Sequence, residues 1–362
     1  MRAVTRTPCS PLALGLGLLL GVGQGTAATQ PLPLRERLQR LPYRIAYECY
    51  TDGNWEIFSC RADGSDAVNL TRSPGSHEHY PQVSPDGRWI CFLEDRGEGR
   101  ETVRSLWVMG SDGRNRRKLL DSAREPFWSP DGTRIGFLHP EFPKFNVMDY
   151  YTHGMSFVDL ASGRITDHPN SARIHHLYNP CFAPGGGWIL ATAHAGMGVD
   201  HGSLLLRSDG PGVVKLGIPG CRGWISPSGR EIAWGAGDYE IAVAPIDLAA
   251  SVPSVGERRL RILDHENRVI HVDWSPDGGF LCFSRGPAGR GDAAKPGTFA
   301  GACGIVGVYA AGWNLCVVPA TLQGSVDLLA SGEGEFMMVT TNGFSNKEPA
   351  WFLPPKKTDM HP

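Results

Sequence analysis

"YPQVSPDGRWICF", residues 80–92, sets a tight polar turn, Ser84-Pro85-Asp86-Gly87, between two short runs suited to strands. Proline presets φ, aspartate bonds to nearby backbone and glycine supplies φ > 0, so the tetrad reverses the chain. The device recurs. "WSPDG" stands at 128–132 and 274–278, and eroded copies, "FAPGG" and "ISPSG", stand at 182–186 and 225–229. With the turn serine or its equivalent as anchor, Ser84, Ser129, Ala183, Ser226 and Ser275 follow one another at spacings of 45, 54, 43 and 49 residues. One such turn closes a hairpin; five at this spacing build a repeat architecture.

Each unit reads alike. A strand precedes the turn and a second follows it ("RWICFL", "RIGFL", "WILATA", "EIAWG", "FLCFS"). A third resembles "SLWVMGSDG" (105–113) or "GSLLLRSDG" (202–210), and a fourth "RKLL" (117–120). Four short antiparallel strands in about 45 residues make a propeller blade. A sixth anchor lacks the turn but keeps its lead-in: "EPAWF" (348–352) matches "EPFWS" (125–129). The chain opens with strands two, three and four of a blade, "RIAYECY" (44–50), "NWEIFSCRADG" (54–64) and "AVNLT" (67–71), while "EPAWF" supplies a strand one. The expected fold is therefore an all-β, six-bladed β-propeller of four-stranded antiparallel blades, closed by pairing N- and C-terminal strands in one blade. It spans residues 43–353, with a linker at 29–42 and a tail at 354–362.

Residues 1–28 read as a secretory signal peptide: Arg2 and Arg6, an apolar core at 12–23, then small residues at 25–28. The expected location is periplasmic or secreted, with no membrane span after signal cleavage. A formal net charge of −2 over 362 residues argues against a nucleic-acid partner or a polybasic membrane surface. Nine cysteines include Cys91 and Cys282, which follow their turns at the same place and read as small core residues. Cys303 and Cys316 flank a Gly/Ala-rich insertion and are the best candidates for a disulfide in an oxidising compartment. No C-x-x-C-H or paired C-x-x-C motif for haem or structural zinc is present.

"NWEIFSCRADGSDAVNLT…YPQVSPDGRWICF" resembles the propeller repeats of the TolB translocation protein, a WD-like class of six-bladed propellers. The resemblance covers roughly residues 43–353 and rests on the turn, the "ADG/SDG" hairpin and the "LT" strand end recurring in order. It implies the fold. The founder of that family carries a separate N-terminal α/β domain, for which this chain is expected to have no room.

In a propeller, strand one lines the central channel, and the turns lie on the face opposite the two-to-three and four-to-one loops. His77, His79, His168, His175, His176, His265 and His271 fall in four-to-one connections; His139, His153, His194 and His201 fall in two-to-three connections. All are expected on the loop face, where long polar loops concentrate. Four places before each anchor stand Tyr80, Glu125, Asn179, Arg222, His271 and Glu348. These six are expected to ring the channel mouth, either holding water or gripping a polar ligand or divalent metal. His79, His176, Asp200 and His201 ("GMGVDHG"), and Trp313 and Asn314 after the insertion at 286–312, are further candidates, the insertion itself being a lid, a docking arm or a solvated loop. No nucleophile elbow, H-E-x-x-H or P-loop is present. The reading is an exported binding or scaffold module with a protein partner in the cell envelope and no cofactor. The alternatives are a metal-assisted, lyase-like carbohydrate enzyme that binds a small polar or carbohydrate ligand, and a non-catalytic subunit of a multihaem redox complex. Export predicts that N-terminal sequencing of envelope-fraction protein begins near Ala28 or Thr29; an intact Met1 on soluble cytoplasmic protein would overturn it.

Overall fold

A computed structural model describes residues 32–287, 304–332 and 334–356. The proposed signal peptide and Cys303 lie outside the described residues. Six sheets, each built on four antiparallel strands, stand as the blades of a propeller. Their inner strands are His77–Val83, Arg124–Trp128, Leu177–Phe182, Cys221–Ile225, Asn267–Trp274 and Ser345–Phe352, numbered here as blades 1 to 6.

The turns form as their residue types dictate. Ser84 Oγ lies 2.6 Å from Asp86 Oδ1 and accepts the Trp89 N–H at 2.9 Å, while the Gly87 N–H closes on the Ser84 carbonyl at 2.8 Å. Gly87 sits at φ +71, and a Cβ there would lie 1.9 Å from the Leu353 carbonyl oxygen, so only glycine fits where blade 1 meets the end of blade 6. The tryptophan of "WSPDG" has its own task. Trp128 Nε1 donates to the Gln82 carbonyl at 2.8 Å, and Trp274 Nε1 to the Trp224 carbonyl at 3.0 Å. Each indole thus ties its blade to the inner strand of the preceding one.

Blade 6 closes the ring. Ser345–Phe352 pairs antiparallel with Arg44–Thr51, which continues into Asn54–Arg61 and Val68–Asn69. All eight residues of Ser345–Phe352 are buried. The segment expected as a linker contains a helix, α1 (Leu34–Gln39), whose Leu34 and Leu38 are buried with Ile45, Tyr47, Phe280, Cys282 and Leu315. Its apolar i, i+4 pair seals the seam between blades 5 and 6. A second departure is Gly324–Asp327, which leaves blade 5 to pair in parallel with Leu260–Leu263 on the outer edge of blade 4. Cys91 and Cys282 are fully buried in the core, and Cys316 is a buried free thiol.

Truncation after residue 344 removes the strand that closes the ring and leaves the inner edge of Arg44–Thr51 unpaired. The shortened chain is expected to lose its single cooperative thermal transition. A melt like that of the full-length protein, followed by circular dichroism, would contradict closure through blade 6.

Candidate functional site

The inner strand of every blade carries a bulge. Pairing with the neighbouring strand slips at His79/Gln82, Arg124/Phe127, Tyr178/Cys181, Cys221/Trp224, Ile270/Asp273 and, in blade 6, opposite Ala46/Glu48. The residues at these six bulges are Tyr80, Glu125, Asn179, Arg222, His271 and Glu348, all at φ between +49 and +58. A non-glycine residue in that region is strained by about 1–3 kcal/mol, so the surroundings must hold it there. Four of the six precede a proline (Pro81, Pro126, Pro180, Pro349), which has no N–H and is tolerated in a sheet at a bulge. The bulge frees backbone N–H groups, and side chains of the adjoining blade take them. Tyr80 N–H donates to Glu48 Oε2 at 3.2 Å, Asn179 N–H to Glu125 Oε2 at 2.9 Å, Arg222 N–H to Thr192 Oγ1 at 2.8 Å and Glu348 N–H to Ser284 Oγ at 3.2 Å.

The six side chains meet at the axis and are buried. Asn179 Nδ2 donates to Tyr80 Oη at 2.9 Å. The Arg222 guanidinium bonds Asp149 and reaches Glu348 Oε1 at 3.3 Å. His271 Nε2 lies 2.9 Å from both Glu348 Oε1 and the Gly304 carbonyl, and its Nδ1 lies 3.1 Å from Ser284 Oγ. Burial, with Arg222 and Lys347 nearby, holds the His271 pKa well below its usual range, so the ring is neutral. The Gly304 carbonyl can only accept, which places the ring's one proton on Nε2. Burial pushes Glu125 and Glu348 up to about 7, with Asp149 adding to the effect on Glu125 and Arg222 opposing it on both.

This end of the channel is covered. Asp149 comes from the two-to-three connection of blade 2, which Arg124 pins through the Asn146 and Met148 carbonyls at 2.9 and 2.8 Å. The described end of the insertion folds over the other side: Lys347 Nζ holds the Ile305 and Val308 carbonyls at 2.8 and 3.1 Å, and Val306 packs with Tyr80 and Leu93. A larger cleft of about 620 Å³ lies between blades 6 and 1 at the loop end, lined by Asp52, Glu56, Arg72, His77, Asp95 and Glu98. Two of its carboxylates are engaged by the protein: Glu56 by Asn54, Thr71 and Ser73, and Asp95 by both arms of Arg104 at 2.7 and 2.6 Å.

The turn end of the channel is different. A pocket of about 440 Å³ is lined by Phe127, Trp128, Phe182, Trp224, Trp274, Trp351 and Phe352, with Gln82, Cys181 and Asp273 among them. Its rim carries Pro85, Pro130, Pro184, Pro227 and Pro276, the second residue of each turn, all exposed, and Leu353, also exposed. The Asp273 carboxyl accepts the Trp274 N–H at 2.8 Å and the Trp351 N–H at 2.7 Å, and burial raises its pKa to about 7.

No protein-family model matches the chain. Over 91 residues it is 36% identical to "Uncharacterized peptidase YuxL" of Bacillus subtilis, covering 24% of this chain and 13% of that protein. Over 117 residues it is 26% identical to "Uncharacterized protein Atu1656" of Agrobacterium fabrum, covering 32% of this chain and 38% of that protein. The chain thus spans well under half the length of the curated relatives it matches. Among solved structures, TolB from Acinetobacter baumannii superposes with a TM-score of 0.56 at 16% identity, over 86% of this chain and 67% of that one.

The chain has a TolB-like propeller fold.

Within this TolB-like propeller the candidate residues divide. The six bulge residues come together, and His79 joins them, 3.7 Å from Glu48 and 3.6 Å from Asp95. They are inside the channel rather than open at its mouth. His176 bonds Glu141 and the Ala195 carbonyl at the loop end of blades 2 and 3, and His201 meets Tyr178 Oη at 2.9 Å. Asp200 is exposed nearby. Trp313 is fully buried against His271, and Asn314 accepts the Thr340 hydroxyl at 3.2 Å in blade 5. His168 turns into the seam between blades 2 and 3, its ring bonded to the Asn170 N–H and the Arg207 carbonyl. Among the described residues, no three His, Cys, Asp or Glu side chains are grouped to hold a metal ion. No described helix is long and apolar enough to cross a membrane.

Glu48, Lys347, Asp149 and Asp273 escaped the sequence reading. A charged Lys347 inside a wholly buried strand was a usable signal; Asp149, in a loop, offered none. Glu125 and Glu348 stay protonated in the folded chain up to about pH 7, against about 4.5 unfolded. Their contribution to stability is complete below about pH 4.5 and is lost as pH rises through about 7, with Asp273 acting in the same direction. Unfolding free energies from urea titration are therefore expected to fall between pH 5 and 7.5, by about 2 kcal/mol for each such group. Glu348→Gln should flatten that slope; an unchanged slope in the variant would contradict the assignment.

Proposed function

We propose that this chain is an exported binding module of the cell envelope, without chemistry of its own, which takes a segment of a partner protein at the turn end of its channel. One contrast carries the reading: at the loop end the channel itself is filled by ion pairs and covered by chain, whereas at the turn end it opens to solvent through an aromatic-lined pocket. Most of the polar groups there are already bonded to one another and gain little from a ligand, because binding would first have to break those bonds; Glu48 Oε1, His79 Nδ1, Asp149 Oδ1 and Asn179 Oδ1 lack a hydrogen bond but are enclosed by the protein. An open aromatic pocket still has apolar area to remove from water, at roughly 25 cal/mol per Å². Exposed proline surface around an aromatic-lined opening, concentrated on one rigid face, suits an interaction site. The fold shared with TolB of Acinetobacter baumannii is consistent with a propeller used as a platform. This reading takes the turn face as the functional one, whereas the sequence alone points to the histidine-bearing loop face.

Site-specific photo-crosslinking in the native envelope tests this. A photoreactive residue at Pro227 or Leu353 on the rim is expected to capture a protein, and one at Asp200 on the loop face is not. Capture from Asp200 alone would return the site to the loop face.

A further inference from the structure

We propose that the pocket at the turn end recognises a basic side chain, arginine in preference to lysine, presented by the partner segment, and that Asp273 is the anion that receives it. The inference rests on the binding-module reading for the place of docking and adds the chemistry of what docks. At the inward position two residues before each anchor, the other blades carry Gln82, Phe127, Cys181, Trp224 and Ala350. Asp273 is the single ionisable carboxyl among them, set in an otherwise apolar wall. Its oxygens accept one backbone N–H each, from Trp274 and Trp351, which orients the carboxyl and leaves lone pairs on both oxygens for a further donor.

Among the described residues, Asp273 is the one carboxyl lining this pocket, and it has no countercharge. At the polar end of the channel Glu48 has Lys347 at 3.5 Å, Asp95 has Arg104 at 2.6 Å, and Glu348 has Arg222 at 3.3 Å. Asp149 likewise bonds Arg222. Asp273 has no Lys, Arg or His at salt-bridge distance among the described residues, although it is 8% exposed. A carboxylate so buried is costly unless a cation meets it. The groups facing it are the thiols of Cys181 and Cys282, both kept neutral by burial, the Gln82 amide and the two N–H donors. No described Lys, Arg or His lines the pocket, so a cation to meet the ionised carboxyl has to come from the ligand.

The rest of the wall suits a guanidinium. Trp128, Trp224, Trp274 and Trp351 line the same pocket. Indole faces attract cations, and the weakly hydrated, planar guanidinium stacks on them while its fork reaches a carboxylate with two donors. An ammonium is more strongly hydrated and offers a single point of contact, which sets arginine above lysine. The proline rim has no N–H to bind a strand edge-on, so the partner is held by an inserted side chain rather than by sheet extension.

The test uses the peptide Ac-Gly-Gly-Arg-Gly-Gly-NH2 with its lysine and citrulline counterparts, titrated calorimetrically into the full chain near pH 8. The arginine peptide is expected to bind at least about tenfold more tightly than the isosteric but neutral citrulline peptide. That preference should vanish in Asp273→Asn. It should also shrink in the unaltered protein as pH falls from about 8 to about 6, across the carboxyl's pKa of about 7. If Asp273→Asn does not fold, the pH series decides alone. Equal affinity for arginine and citrulline, no binding of any of the three peptides, or an arginine preference that survives both Asp273→Asn and low pH would each overturn the inference. Crosslinks from the rim without an arginine preference would sink the inference and leave the module reading. An arginine preference without crosslinks would do the reverse.

Discussion

The pairing of Ser345–Phe352 with Arg44–Thr51 is the interaction on which the rest depends. The ring of six blades closes because its first and last segments share a sheet, and here that sheet also carries the centre of the channel. Lys347 and Glu48 are register partners across the seam and form an ion pair at 3.5 Å, both fully buried. Glu348, the next residue, reaches Arg222 from blade 4 and His271 from blade 5. Closing the ring therefore assembles the polar core in the same step. Helix α1 lies over the same closing region, burying Leu34 and Leu38 where blades 5 and 6 meet.

The bulge in each inner strand gives the channel its two characters. By inserting a residue at positive φ, it breaks the alternation of the strand and turns one large polar side chain toward the axis. Nearer the turns the strand resumes its pleat, and apolar residues face inward. One end consequently collects carboxylates, Arg222, Lys347 and His271, where low polarity strengthens each pairing and penalises each unpaired group. The other collects tryptophan, phenylalanine and proline around a lone carboxyl. Two solvents in effect occupy one channel, and a ligand meets them on different terms: the polar end is filled by the protein's own ion pairs and covered by chain, and the aromatic end opens to solvent.

The fold was legible because it is written in local chemistry that repeats. Ser-Pro-Asp-Gly reverses a chain wherever it stands, two-residue alternation makes strands, and a period near 45 residues sets the blade. Even the axial ring was found by position, since a residue four places before each anchor must fall at the same height in every blade. The prolines after Tyr80, Glu125, Asn179 and Glu348 announce the bulges as well, once their lack of an N–H is weighed against the strand pattern.

By itself, then, the sequence determined the strands, the turns, the number of blades and the identity of six inward residues, all of which follow from short-range stereochemistry and spacing. Only the tertiary structure decided whether those six face solvent or one another. That depends on Asp149, on residues 304–308 and on Lys347, which come from remote parts of the chain and pack over the ring. It likewise decided that the tryptophans before the turns line an open pocket and that Asp273 lacks a counter-ion there, because burial and charge pairing are sums over neighbours that no local pattern contains.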